Sequence, residues 1–243
     1  KLGVKRSNIW LCDLHSLVYQ CRDIDMNPQK AAVAQASEMR RLDEVIEGAD
    51  MFLPLSGPNI LRLDLVKQIS AQPIIFALAN PNPEIMPADA LAIVPDAIIA
   101  TGRSDFPNQV NIVLCFPFIF RRALDAGATE INDAMQVACI QGIEELARAT
   151  TSAEAAAACK SETLTFSPNY LIPKPFGLRL SNVVSSAVAE AAMQSGFATQ
   201  PIKDIDAYRD ALKQTVVKFV FLIRLVFEAA SNSARRIVFS EGE

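Results

Sequence analysis

Two short runs, Pro73–Ala79 (PIIFALA) and Ala97–Thr101 (AIIAT), constrain the fold more than anything else in the chain. Neither alternates apolar with polar residues, so neither can leave one face in water. Strands buried on both faces belong to parallel sheets with helices packed over them. Met51–Leu55 (MFLPL) reads the same way, Asn8–Asp13 (NIWLCD) reads as a strand ahead of it, and Leu17–Tyr19 has the length of one more. Between these runs, Lys30–Met39, Asp43–Gly48, Asp64–Ser70 and Ala88–Ile93 read as helices. Gly48 suits a C-terminal stop, and Pro87 suits a first helical position. Strand–helix alternation of this kind predicts right-handed crossovers and an α/β fold with a doubly wound parallel sheet.

From Asn111 onward the pattern turns helical. Asn111–Ala126 stops at Gly127, and Thr129 is placed to cap a helix reaching Ala149, with Glu130 near its positive end. Ala153–Lys160 is alanine-rich and reads as a short surface helix. Phe166–Phe176 (FSPNYLIPKPF) carries three prolines and reads as an extended, ordered segment. Asn182–Ser195 and Asp204–Ala230 are the last expected helices. In the final one, Ile205, Tyr208, Leu212, Val216, Phe219, Ile223 and Val226 recur every three or four residues. Past Val216 it is apolar all round, which fits either core packing or a subunit interface.

Composition excludes several function classes. Apolar residues make up 51% of the 243, which is ample for a core and incompatible with a disordered chain. The net charge of −4 advertises no nucleic-acid surface. The longest apolar run, Val113–Phe120, is far short of the roughly 18 residues of a membrane span. A single histidine, His15, excludes a multi-histidine metal site within one chain and reads as a loop residue. The five cysteines, Cys12, Cys21, Cys115, Cys139 and Cys159, form no C-x-x-C pair, and their odd number suits a reducing compartment. The basic stretch Lys1–Arg6 is followed by no apolar signal core. The nine glycines form neither G-x-G-x-x-G nor a P-loop.

Ligands of open parallel sheets bind beyond the carboxyl ends of the strands. The residues just past each expected strand are Asp13, then Ser56-Gly57-Pro58, then Asn80-Pro81, then Thr101-Gly102-Arg103-Ser104. A carboxylate ending the second strand of a dinucleotide fold accepts bonds from the adenosine ribose, about 20 residues after the glycine loop. Only twelve residues precede Asp13, so in that role its glycine loop would lie upstream; otherwise it is a solvated turn aspartate. Asn80 both donates and accepts, which suits a nicotinamide amide or a hydroxyacid; an Asx turn is the alternative. Pro81 keeps Asn80 out of the α region. Asn108 and Asn111 read as caps for the helix they precede.

MFLPLSGPNILRLDLVKQISAQPIIFALAN (51–80), PNPEIMPADA and IIATGRSDFPNQVNIVLCFPFIFRRALDAGA closely resemble the NAD(P)-binding domain of bacterial malic enzymes. LIPKPFGLRL (171–180) and PIKDIDAYRDAL, with Arg209, also fit. RIVFSEGE (236–243) resembles the first strand of a phosphotransacetylase-like domain that follows the malic enzyme domain in one branch of the family. The resemblance implies a Rossmann-type domain at 1–230, cut after its glycine-rich loop, and at 231–243 a linker and the start of the second domain of a multifunctional enzyme.

Malic enzymes decarboxylate malate oxidatively to pyruvate and carbon dioxide, reducing NAD or NADP with a divalent metal, Mg²⁺ or Mn²⁺. The resemblance implies that activity for a cytoplasmic, homo-oligomeric full-length protein. It assigns Asp13 to the adenosine ribose, Ser56 and Gly57 to the cofactor crevice, Asn80 to cofactor and malate, and Asn111 to the first of a paired Asn-Asn. The second member of that pair is Ile112 here, and Ser16, Cys21, Pro54 and Asn59 stand where the family carries glycine. The family's lysine base, tyrosine acid and metal carboxylates match no residue here and are expected upstream. The alternative is a non-catalytic dinucleotide-binding or oligomerisation module derived from a malic enzyme.

Overall fold

The computed structural model describes residues 3–149, 165–174, 178–212 and 214. The expected helix Ala153–Lys160, nearly all of the last helix past Leu212 and the terminal RIVFSEGE lie outside them. The chain divides into two compact units, residues 1–112 with 147–174, and residues 113–146 with 175–243.

The first unit is built on a parallel sheet of β3 (Met51–Phe52), β4 (Ile74–Ala77) and β5 (Ile98–Thr101), in that order. Met51 pairs with Ile74 and Ile74 with Ile98, so the strands start level and their carboxyl ends share one edge. α3 (Leu63–Val66) joins β3 to β4, and α4 (Pro87–Ile93) joins β4 to β5. Pro87 is the first residue of α4, where its missing N–H costs nothing. Leu61, Leu65, Val66, Ile69, Ile75, Ala77, Ile85, Ala90 and Ile99 form the core. The parallel α/β reading of the central strands therefore holds, and the fold is of the Rossmann type.

The N-terminal part departs from expectation. Asn8–Asp13 is not a strand of the parallel sheet: Arg6–Asn8 is a 3-10 turn, and β1 (Cys12–Asp13) pairs antiparallel with β2 (Ser16–Leu17). Leu14 and His15 form the tip of this hairpin, and Ser16 takes a φ of 81°. α1 starts earlier than expected, at Pro28, because Asn27 caps it by accepting the Lys30 N–H at 2.8 Å. It ends at Val33 rather than Met39, since Gln35 turns extended and pairs with Tyr19 in a parallel bridge. The Gln35 amide then donates to the carbonyls of Arg6 and Ile9 at 2.7 and 2.8 Å. α2 is a single turn, Leu42–Val45.

The Phe166–Phe176 stretch is ordered where described but not extended throughout. Ser167 and Tyr170 exchange backbone hydrogen bonds across Pro168-Asn169, closing a tight turn. Asn108 holds this turn against β5 and is not a helix cap. Its amide donates to the Ile99 and Pro168 carbonyls at 3.1 and 2.7 Å, and its oxygen accepts the Leu171 N–H at 2.7 Å.

The second unit is helical. The expected helix from Asn111 is broken: Ile112–Leu114 is a 3-10 turn, and α5 runs Phe116–Asp125 with Pro117 in its first turn. α6 is Asp133–Arg148 and is capped by Asn132, which accepts the Met135 N–H at 3.0 Å, rather than by Thr129. α7 is Leu178–Gln194, longer at its start than the sequence pattern indicates. Leu180, Val184, Val188 and Ala192 lie four apart on α7 and are all buried. Gly142 of α6 approaches α7 so closely that a Cβ would sit 3.4 Å from Val184 Cα. Residues 205–212 are helical and are capped by Asp204, which accepts the Asp206 and Ala207 N–H groups. The four cysteines among the described residues form no disulfide. None of the described helices is long and apolar enough to cross a membrane.

Candidate dinucleotide site

The loops leaving β3 and β4 meet at one side chain. Glu84 is fully buried, and one of its oxygens accepts the Ser56 N–H at 3.3 Å while the other accepts the Ala79 N–H at 3.0 Å. The Glu84 carbonyl accepts from Leu61, and the Pro83 carbonyl accepts from Asn59. The loop leaving β5 joins through Arg103, whose guanidinium donates to the Pro81 carbonyl at 3.5 Å and pairs with Asp105. The Ser56-Gly57 turn and the Asn80 segment are thus brought side by side. No basic side chain among the described residues pairs with Glu84, so backbone N–H groups alone satisfy its carboxyl. Leaving one such buried acceptor unmet costs about 1–3 kcal/mol.

Along this ledge Ser56 and Asn80 are exposed and Gly57 is half-buried, with open space where its side chain would be. The Asn80–Pro81 peptide is cis. Among the described residues the Asn80 carboxamide makes no hydrogen bond, so it forms no Asx turn and its donor and acceptors face outward. Gly102, after β5, would place a Cβ 3.1 Å from the Leu78 carbonyl, so the absent side chain lets two loops approach. Asn111, half-buried, lies two residues past the Thr101–Gln109 bridge that returns the chain beside β5.

Asp13 ends β1, and its contacts are local. One oxygen accepts the His15 N–H at 2.8 Å; the other takes the Arg22 guanidinium and the Lys30 ammonium, the latter at 2.8 Å. Lys30 also pairs with Asp25 at 2.5 Å. The Arg22 guanidinium, then Lys30, holds the Asp13 carboxyl far below the usual carboxylate range. Arg22 is itself buried, its other N–H groups donating to the carbonyls of Ile24, Ser16 and Leu17. Arg22 and Lys30 are therefore both engaged by Asp13. No group of three His, Cys, Asp or Glu side chains among the described residues is arranged to hold a metal ion.

Sequence reasoning missed Glu84, although a signal was present. It is the only charged residue between Lys67 and Asp89, set among prolines and apolar residues. A lone acid in such a stretch is buried against donors or stranded.

A parallel sheet whose strand ends carry a tied, side-chain-poor ledge defines the class as a Rossmann-type α/β chain. No family model matches it. It is 50% identical over all 243 residues to an NADP-dependent malic enzyme of Escherichia coli and 51% identical to an NAD-dependent malic enzyme of Rhizobium meliloti. In each case it spans 32% of the relative, so the chain is about a third of their length. The solved malic enzyme of Entamoeba histolytica shares the fold at 24% identity, with a TM-score of 0.80 over 96% of this chain and 47% of that one. An NAD-dependent malic enzyme from Thermotoga maritima matches 72% of this chain and 42% of its own, at 31% identity and a TM-score of 0.58. Over its whole length the chain is similar to one segment of these malic enzymes.

Proposed function

We propose that the chain is the NAD(P)-binding segment, residues 1–230, of a malic enzyme that decarboxylates malate to pyruvate. The observation that carries this is the ledge at the sheet's carboxyl edge, where Ser56-Gly57 and the outward carboxamide of Asn80 are set by one buried carboxyl. In this reading Asn80 faces the nicotinamide amide and malate, and Asn111 supports the same end of the dinucleotide. The dinucleotide supplies the hydride acceptor, and these residues hold it against the substrate, since hydride transfer needs the two in contact.

The residues fit that group. The Asp13 oxygen bonded to His15 keeps an acceptor site for a ribose hydroxyl, whereas the oxygen shared by Arg22 and Lys30 is filled. Identities of 50% to an NADP-dependent and 51% to an NAD-dependent relative leave both dinucleotides within the reading. The divalent metal, Mg²⁺ or Mn²⁺, is held by carboxylates outside this chain. Residues 231–243 lead into a phosphotransacetylase-like domain, and the complete protein is a cytoplasmic homo-oligomer.

A second reading, a non-catalytic module, draws on Ile112, which is 70% exposed where the family places a polar asparagine. One experiment separates the two. The complete protein is titrated with NAD and NADP and assayed with malate and Mg²⁺ or Mn²⁺, beside residues 1–243 alone. Malate-dependent reduction by the complete protein only is expected. Dinucleotide binding without turnover would favour the module, and turnover by the isolated 243 residues would refute the division of labour.

A further inference from the structure

We propose that Glu84 is a positioning residue for the dinucleotide, acting through the backbone N–H groups of Ser56 and Ala79 to hold two cofactor-facing loops in register. This rests on the malic enzyme reading above. The two loops leave different strands, β3 and β4, and among the described residues no backbone hydrogen bond joins residue 56 to residue 79. Glu84 supplies the link from beneath. Its own place is fixed from both sides. Pro83 and Ile85 are buried, and the carbonyls of residues 83 and 84 accept from Asn59 and Leu61. A single rigid side chain therefore sets the path of Gly57 on one loop and the direction of Asn80 on the other.

The chemistry requires two acceptors, not merely a side chain of this size. Glutamine keeps the shape but replaces one oxygen with an NH₂ group, which faces an N–H donor and pushes one loop away. Aspartate keeps both acceptors one methylene short of their donors. The role is positioning rather than catalytic, because Glu84 is buried and reaches the ligand only through the two loops.

The test uses the complete protein, with NAD and NADP as probes and Ile69→Val as a control that thins the core of the first unit without touching either loop. Dinucleotide Kd is measured by calorimetry, and kcat and KM by initial rates, all well below each variant's melting temperature. Glu84→Gln is expected to raise the Kd and KM of the dinucleotide about tenfold or more and the KM of malate less. Glu84→Asp is expected to fall between it and the parent, and Ile69→Val to leave both Kd and KM unchanged. A folded Glu84→Gln protein with parental Kd would overturn the proposal, and if it does not fold, parental Kd in Glu84→Asp would do the same. Hydrogen exchange on the parent protein needs no variant. Peptides containing Ser56 and Ala79 should both gain protection on binding, and a change in neither also overturns it. Failure of the parent protein to bind either dinucleotide would instead overturn the functional reading, and this inference with it.

Discussion

Ser16, Cys21 and Asn59, none of them glycine, adopt φ values of 81°, 65° and 60°. A residue with a Cβ pays about 1–2 kcal/mol in that region, and glycine recovers this less about 0.5–1 kcal/mol of extra unfolded-state entropy. The three positions then separate by what their side chains do. Cys21 is exposed and makes no hydrogen bond among the described residues, so Cys21→Gly keeps the whole difference, about 0.5–1 kcal/mol of added stability. Asn59 belongs to a residue type that tolerates the left-handed region, so Asn59→Gly gains about half as much or less. The Ser16 hydroxyl donates to the Arg40 carbonyl, a bond worth about 0.5–1.5 kcal/mol, so Ser16→Gly comes out near zero. Urea titration followed by circular dichroism, with m held common, gives the order, and thermal scans should move by about 1–4 °C for Cys21→Gly. A gain at Ser16 equal to that at Cys21, or a loss at Cys21, would refute the reasoning.

Asn108→Ala removes three hydrogen bonds and strands the Leu171 N–H. It should cost about 3–5 kcal/mol and expose residues 165–174 to protease; a loss under 1 kcal/mol would show that the clamp is incidental. Gly127→Ala should cost about 2–4 kcal/mol by calorimetry, because φ is 59° and the new Cβ would lie 2.5 Å from Thr199 Oγ1. Adding Thr199→Ala should restore only part of it, since the Gln200 backbone stays 3.2 Å away. Asp13 is held well below its unfolded pKa of about 3.9, so its contribution is complete above that pH and is lost as pH falls towards the folded value. Asp13→Asn should therefore lower stability at pH 7 and flatten the decline below about pH 4; an unchanged acid limb would count against the Arg22–Asp13–Lys30 cluster. Tyr208 is pushed up to about 12 by burial and by its hydrogen bond to Asp125, so it supports the fold below pH 10 and loses that support as pH rises to about 12. Absorbance titration should show tyrosinate formation there only on unfolding, and Tyr208→Phe should remove that alkaline step.

The central strands were legible because two-sided burial writes itself as unbroken apolar sequence: β4 and β5 fall inside PIIFALA and AIIAT. Asn8–Asp13 was misread because NIWLCD has strand composition, while the hairpin it joins is set by a positive φ at Ser16 that no propensity reports. Helix ends moved wherever a polar side chain chose between cap and clamp. Asn27 and Asn132 became caps, whereas Asn108 became a clamp with two of its three partners 60 or more residues away. Of the candidate site, the loop positions followed from topology alone. What joins them did not: Glu84 stands out in the sequence as a lone acid, but the backbone N–H groups it binds leave no trace in residue identity.

The long reach of Asn108 also has a meaning in time. Its partner Leu171 follows it by 63 residues, and at roughly 5–20 residues per second the ribosome needs about 3–13 s to supply them. Throughout that interval β5 has been synthesised, yet the amide that will dock on the Ile99 carbonyl waits for its second acceptor. The nascent first unit is therefore obliged to remain unfinished while residues 113–146 emerge, and a chaperone that shields the β5 edge would act in that window.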